Sequence, residues 1–79
     1  SNNALVILII FSLAINAIVE QSVAIFNQKG ISVLHSVGKL NALPQAKGGY
    51  KPVAYVDAMA DAYLAADLII GAAGLLHAA

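Results

Sequence analysis

Few residues in this chain carry charge, and their placement is the first chemical signal. The cations are Lys29, Lys39, Lys47 and Lys51, with no arginine, and all four fall between Gln21 and Val56, where there is no acid. Glu20, Asp57, Asp61 and Asp67 flank that stretch, so the formal net charge is zero while the middle is basic. A cluster of lysines attracts polyanions: the phosphates of a nucleic acid, held in a salt-sensitive and sequence-independent way, or anionic lipid headgroups. The ordinary alternative is that the lysines solvate a bend or pair with Asp57 and Asp61 of a neighbour. Lys39, Lys47 and Lys51 are the candidate polyanion-facing residues.

The remaining titratable groups offer less. Asp67, in AYLAADLIIGAAGLL, sits where a rotary ring subunit carries an ion-binding carboxylate. Residues 4–19 lack the glycine repeat of such subunits and the chain has no arginine, which favours a carboxylate paired at a subunit interface. His35 lies in an apolar stretch, but a pigment-ligating role fits poorly with the absence of tryptophan and with Lys39 one turn away. His77 is too distant in sequence to suggest a shared metal, and there is no cysteine to supply a thiolate. No glycine-rich phosphate loop follows an evident strand, and no Ser/His/Asp set has a visible scaffold. The expectation is a protein that is not an enzyme, with no catalytic residue, metal or cofactor, and with bound phospholipid as its small-molecule companion.

The elements that must position these groups are read from an unusual composition. Of 79 residues, 61% are hydrophobic and 10% charged, against about 45–50% and about 25% in soluble domains. From Ala4 the chain runs to Lys29 without Gly or Pro, and Ser12, Asn16 and Glu20 recur at four-residue spacing, as along one side of a helix. The apolar pattern resumes after Gly30, as the same helix bent or as one restarted there, and stops before Pro44. PQAKGGYKP reads as a loop. Pro52 then suits the first turn of a second helix, in which Gly71, Gly74 and Ala78 offer a smooth face for close helix packing. The expected fold is all-α: a single helical hairpin over 1–79, with a helix at 4–43 broken or bent at Gly30, a basic loop at 44–52 and a helix at 53–79.

Such a hairpin would leave much of its apolar circumference in water. At roughly 25 cal/mol per Å², a few thousand Å² would cost more than the ~5–15 kcal/mol stability of a domain. Lipid or other copies of the chain are therefore expected as partners. Residues 4–19 would span about 24 Å as a helix, short of the ~30 Å hydrocarbon core, and Asp67 burdens the second arm. Ser1, with no basic residue ahead of the apolar run, reads as the start of a mature, exported product.

A processed chain of this length, with an apolar first helix, a short lysine-bearing loop in AKGGYKP and an Ala/Gly-rich second helix, resembles the conjugative pilins of type IV secretion, including F-pilus, T-pilus and archaeal DNA-transfer subunits. The resemblance implies a homopolymeric helical tube, stored in the cell membrane and then extracellular. It also implies lipid between subunits, Lys47 and Lys51 facing the lumen, and nucleic acid passing through. The alternatives are the coat protein of a rod-shaped or filamentous virus, whose lysines hold the genome in a virion, and a small membrane subunit of a larger complex.

Overall fold

The strongest apolar run, VILII, is a strand. In the computed structural model, which describes residues 5–10, 13–71 and 76–78, β1 (Val6–Ile10) is followed by α1 (Leu13–Gln28), β2 (Ser32–Ser36), β3 (Tyr50–Val53), α2 (Met59–Ala65), β4 (Leu68–Ile70) and β5 (Leu76–Ala78). The sheet order is β3-β2-β1-β4-β5. β1 pairs in parallel with β2 and β4, β2 in parallel with β3, and β5 runs antiparallel to β4. The expected all-α hairpin is corrected to an α/β fold, a mostly parallel sheet with two helices.

The register explains how the sequence satisfies this sheet. Ile7 lies opposite Val33 and Leu68, and Ile9 opposite His35 and Ile70. This row joins Val19 and Tyr50 in a core capped by Ile15, Val23 and Phe26 of α1. Leu8, opposite Leu34 and Ile69, points to the other face and packs with Val56 and Ala66 beside Met59 and Ala62 of α2. β1 is thus apolar at every position because it is central and covered on both sides, as parallel strands usually are. Leu8 and Ile9 are each 1% exposed, and burying each contributes about 1.5–3 kcal/mol. Part of the hydrophobicity that points to a repeating assembly is this doubly covered sheet, while Leu5, Ile18, Ile25, Leu40, Leu43 and Leu64 remain exposed. Among the described residues no helix is long and apolar enough to cross a membrane.

α1 ends where Gly30 takes a φ of 68°. The Ile31 amide donates to Phe26 O at 2.9 Å and the Gly30 amide to Asn27 O at 3.2 Å, a Schellman closure that only a left-handed residue permits. Pro52, expected to open a helix, lies in β3 opposite His35. β3 is an edge strand, where the missing N–H is tolerated. The turn before it is held by Asn27 of α1, whose Nδ2 donates to Lys47 O at 3.1 Å while its Oδ1 accepts from the Gly49 amide at 2.9 Å.

Candidate functional site

The four parallel strands bring their carboxyl ends to one edge. There β1 feeds α1, β2 feeds the 37–49 loop, β3 feeds residues 54–58, and β4 ends at Gly71. The chain leaves β1 toward β2 through α1, and reaches the opposite side of β1 through α2 and β4. The connections therefore diverge between β1 and β4, and in open α/β sheets ligands bind in the crevice outside that divergence.

Behind this edge lies a buried polar relay. His35 on β2 is 0% exposed, Asn16, the fourth residue of α1, 8%, and Tyr50 on β3 2%. Asn16 Nδ2 donates to Val37 O at 3.0 Å, which turns its Oδ1 toward His35 Nε2 at 2.7 Å. An amide oxygen only accepts, so Nε2 carries the imidazole proton and Nδ1 accepts from the Tyr50 hydroxyl at 2.8 Å. Every bond in the relay has a donor and an acceptor, and among the described residues no buried side-chain N or O lacks a partner. Burial holds the His35 pKa below its ordinary value of 6.5, which favours the neutral ring that this bonding pattern uses. Burial, and then the negative charge of Glu20, push the Tyr50 phenol above its ordinary 10.0.

The relay ends on a carbonyl that also accepts from Asn41 Nδ2 at 2.7 Å. Val37 and Gly38 extend the β2–β3 ladder through their amides to Val53 O at 2.9 Å and Ala54 O at 3.1 Å. Gly38 then turns with a φ of 97°. Lys39 follows, with Nζ 4.8 Å from the ring centroid of Tyr55, in the loop after β3. A cation over a half-exposed aromatic face is a modest attraction, about 0.5–1 kcal/mol, and leaves both groups available to a ligand. The first turn of α1 carries no acid, so no carboxylate of that turn offsets the positive end of its dipole. Two shallow grooves meet at Glu20 alongside α1. One, of about 260 Å³, is lined by Asn16, Val37 and Asn41; the other, of about 270 Å³, by Gln45, Lys47 and Tyr50.

The lysines singled out in the sequence do not share a wall. Lys39 lies at the carboxyl edge, Lys47 precedes the amino end of β3, and Lys51 is an exposed residue within that strand. Of the proposed packing face, Gly71 follows β4, Ala78 ends β5, and Gly74 lies outside the described residues; 68–70 and 76–78 are strands rather than parts of a helix. Asp67 stands at the opposite edge of the sheet, where Val6 donates its amide to Oδ2 at 2.8 Å and accepts from the Asp67 amide at 2.8 Å. It closes the β1–β4 ladder within one chain. The sequence reading missed Asn16 and Tyr50 as polar partners of His35. The available signal was a histidine inside SVLHSV, which as a strand residue needs partners from elements distant in sequence.

Residues 11–76 match the glycosyltransferase family 28 C-terminal domain. The UDP-N-acetylglucosamine--N-acetylmuramyl-(pentapeptide) pyrophosphoryl-undecaprenol N-acetylglucosamine transferase of Corynebacterium glutamicum is 48% identical over 68 residues, 86% of this chain and 19% of that protein. The proteins of the same name from Corynebacterium diphtheriae and Streptomyces collinus are 43% identical over 67 residues and 40% identical over 70, covering 84% and 82% of this chain and 19% of each. The chain thus spans about a fifth of the length of these relatives. No solved structure matches it significantly. The likenesses are to domains of enzymes, and they overturn the pilin resemblance together with the coat-protein and membrane-subunit alternatives, the expectation of a non-enzyme, the homopolymer, lipid and nucleic-acid partners, and the extracellular filament or virion. By the match across most of its length, this chain belongs to the glycosyltransferase family 28 C-terminal domain family.

Proposed function

We propose that the chain binds a UDP-N-acetylglucosamine-type donor at the carboxyl edge of its sheet, as part of a transferase that delivers N-acetylglucosamine to a lipid-linked acceptor. The observation that carries this reading is the 48% identity, over 86% of the chain, to a transferase named for that reaction. The fold supports it, since a doubly wound sheet offers its ligand crevice between β1 and β4.

The chemistry requires a site that favours the leaving diphosphate. In the transfer an acceptor hydroxyl oxygen bonds to the anomeric carbon, the bond from that carbon to the diphosphate oxygen breaks, the hydroxyl proton passes to water, and UDP departs with the electron pair. Donors aimed at that growing charge lower the barrier. The amino end of α1 and the Lys39 ammonium lie at the right edge for this work. The connection from β1 to α1, Ile10-Phe11-Ser12-Leu13, contains no glycine, so it lacks the bare backbone that lets a dinucleotide's phosphates approach closely in other doubly wound folds. Lys39 therefore carries more of the diphosphate charge in this reading, and the Tyr55 ring beside it offers a face for the uracil base.

Calorimetric titration of the protein with UDP-N-acetylglucosamine tests the reading, with an ADP-sugar as control. Saturable binding that prefers the uridine donor and weakens in the Lys39→Ala variant is expected. No binding at millimolar donor refutes it.

A further inference from the structure

Three buried polar side chains are an unusual choice for the core of so small a sheet, because each must be desolvated and each constrains the others. Apolar residues at 16, 35 and 50 would pack the same layer with no bonding requirement. What the polar set adds is direction. The relay runs from the Tyr50 hydroxyl through the His35 imidazole to Asn16, and it ends on the carbonyl of the buried Val37, at the root of the loop that carries Lys39. That carbonyl receives a second amide, from Asn41 four residues on, so both of its lone pairs are occupied. The loop between the two grips includes Gly38 at a φ of 97° and Lys39 over Tyr55.

We propose that Asn16 and Asn41, with Asn16 held in place by His35 and Tyr50, are positioning residues that fix the Gly38–Asn41 loop against the amino end of α1 and thereby set donor affinity. The inference rests on the donor-binding reading above. Its physical content is that the two positive features of the edge, the helix end and the lysine loop, sit on different elements and are tied by side-chain bonds to one carbonyl. Releasing that carbonyl leaves the sheet intact but lets Lys39 sample positions away from the helix end, so the donor must order the loop when it binds.

The test uses the full chain, with UDP-N-acetylglucosamine titrated into wild type, Asn16→Ala, Asn41→Ala and a control, Ile69→Val. Asn41 is part-buried in the loop, so its variant keeps the core intact should Asn16→Ala fail to fold. Ile69 packs with Leu8 on the opposite face of the sheet at 5% exposure, and shortening it destabilises the fold without touching the relay. Loss of one such hydrogen bond is expected to weaken donor binding roughly fivefold in Asn41→Ala and at least as much in Asn16→Ala. The Gly38 amide should exchange faster in both, while Ile69→Val lowers Tm but leaves affinity and Gly38 exchange near wild type. Wild-type affinity in Asn41→Ala, or an equal loss in Ile69→Val, overturns the proposal and leaves the donor-binding reading standing. Absence of binding by the wild type overturns both.

Discussion

Replacing Tyr50 by Phe removes one oxygen and nothing else, which makes it a sharp probe of the buried relay. The ring stays in its place among Ile7, Val33 and Val19, and the loss of packing volume is negligible. What changes is His35 Nδ1, which accepts from the Tyr50 hydroxyl at 2.8 Å in a side chain that is 0% exposed. Among the described residues no other donor faces that nitrogen. Turning the ring over to satisfy Nδ1 from Asn16 would leave Nε2 unpartnered instead. A buried acceptor left unsatisfied costs about 1–3 kcal/mol, a large part of the ~5–15 kcal/mol available to a domain. Urea unfolding followed by circular dichroism should show a lower midpoint with an unchanged slope. Tyr55→Phe, at a ring 55% exposed, serves as control and should stay within about 0.5 kcal/mol of wild type. If Tyr50→Phe is also within that margin, the hydroxyl is not bonded as described and the polarity assigned to the relay is refuted.

The neutral state of His35 predicts a pH dependence. Because burial lowers its folded pKa, the unfolded chain binds the extra proton first. Stability from this residue is then fully present above the unfolded value of about 6.5 and declines as pH falls below it toward the folded pKa. Denaturation midpoints measured from pH 8 to pH 5 should show that decline in wild type and lose most of it in His35→Gln. Gly48→Ala should destabilise by about 1–3 kcal/mol, since φ is 57° and a Cβ would lie 2.5 Å from Asn27 Oδ1; thermal unfolding no different from wild type would show that the Asn27 grip on the turn is dispensable. Asp67→Ala removes the acceptor for the Val6 amide and should cost about 1 kcal/mol, with faster hydrogen exchange confined to the amino end of β1.

Several local features are legible in the sequence. Gly30 is the weak point of the first long run, and it is the residue that closes α1. PQAKGGYKP has the composition of a loop, and Pro44 to Gly49 does lie between strands, although Tyr50 to Val53 belongs to β3. Asn16 and Glu20 share one side of a real helix, α1. The helix expected over 4–43 differs from the structure in covering the strands VILII and SVLHS, and the helix expected over 53–79 in covering part of β3, α2, β4 and β5. A strand buried on both faces has no alternation to betray it, and its apolar run looks the same as a turn or two of buried helix. Alanine-rich flanks and a short α2 hid the strand at Leu68–Ile70 in the same way.

By itself the sequence determined that the chain must bury an unusually large apolar fraction, that glycine and proline punctuate it at 30, 44, 48–49 and 52, and that its cations gather in the middle. Only the tertiary structure decided what covers the apolar residues. Two helices on opposite faces of a parallel sheet cover its strands within one chain, and they leave Ile18, Leu40 and Leu64 exposed. Strand register likewise separated Lys39 from Lys47 and joined Asn16, His35 and Tyr50. The physical reason is that parallel pairing is a non-local interaction: Ile9, His35 and Pro52 become neighbours through backbone hydrogen bonds across long sequence separations, and no local periodicity encodes which strands will meet.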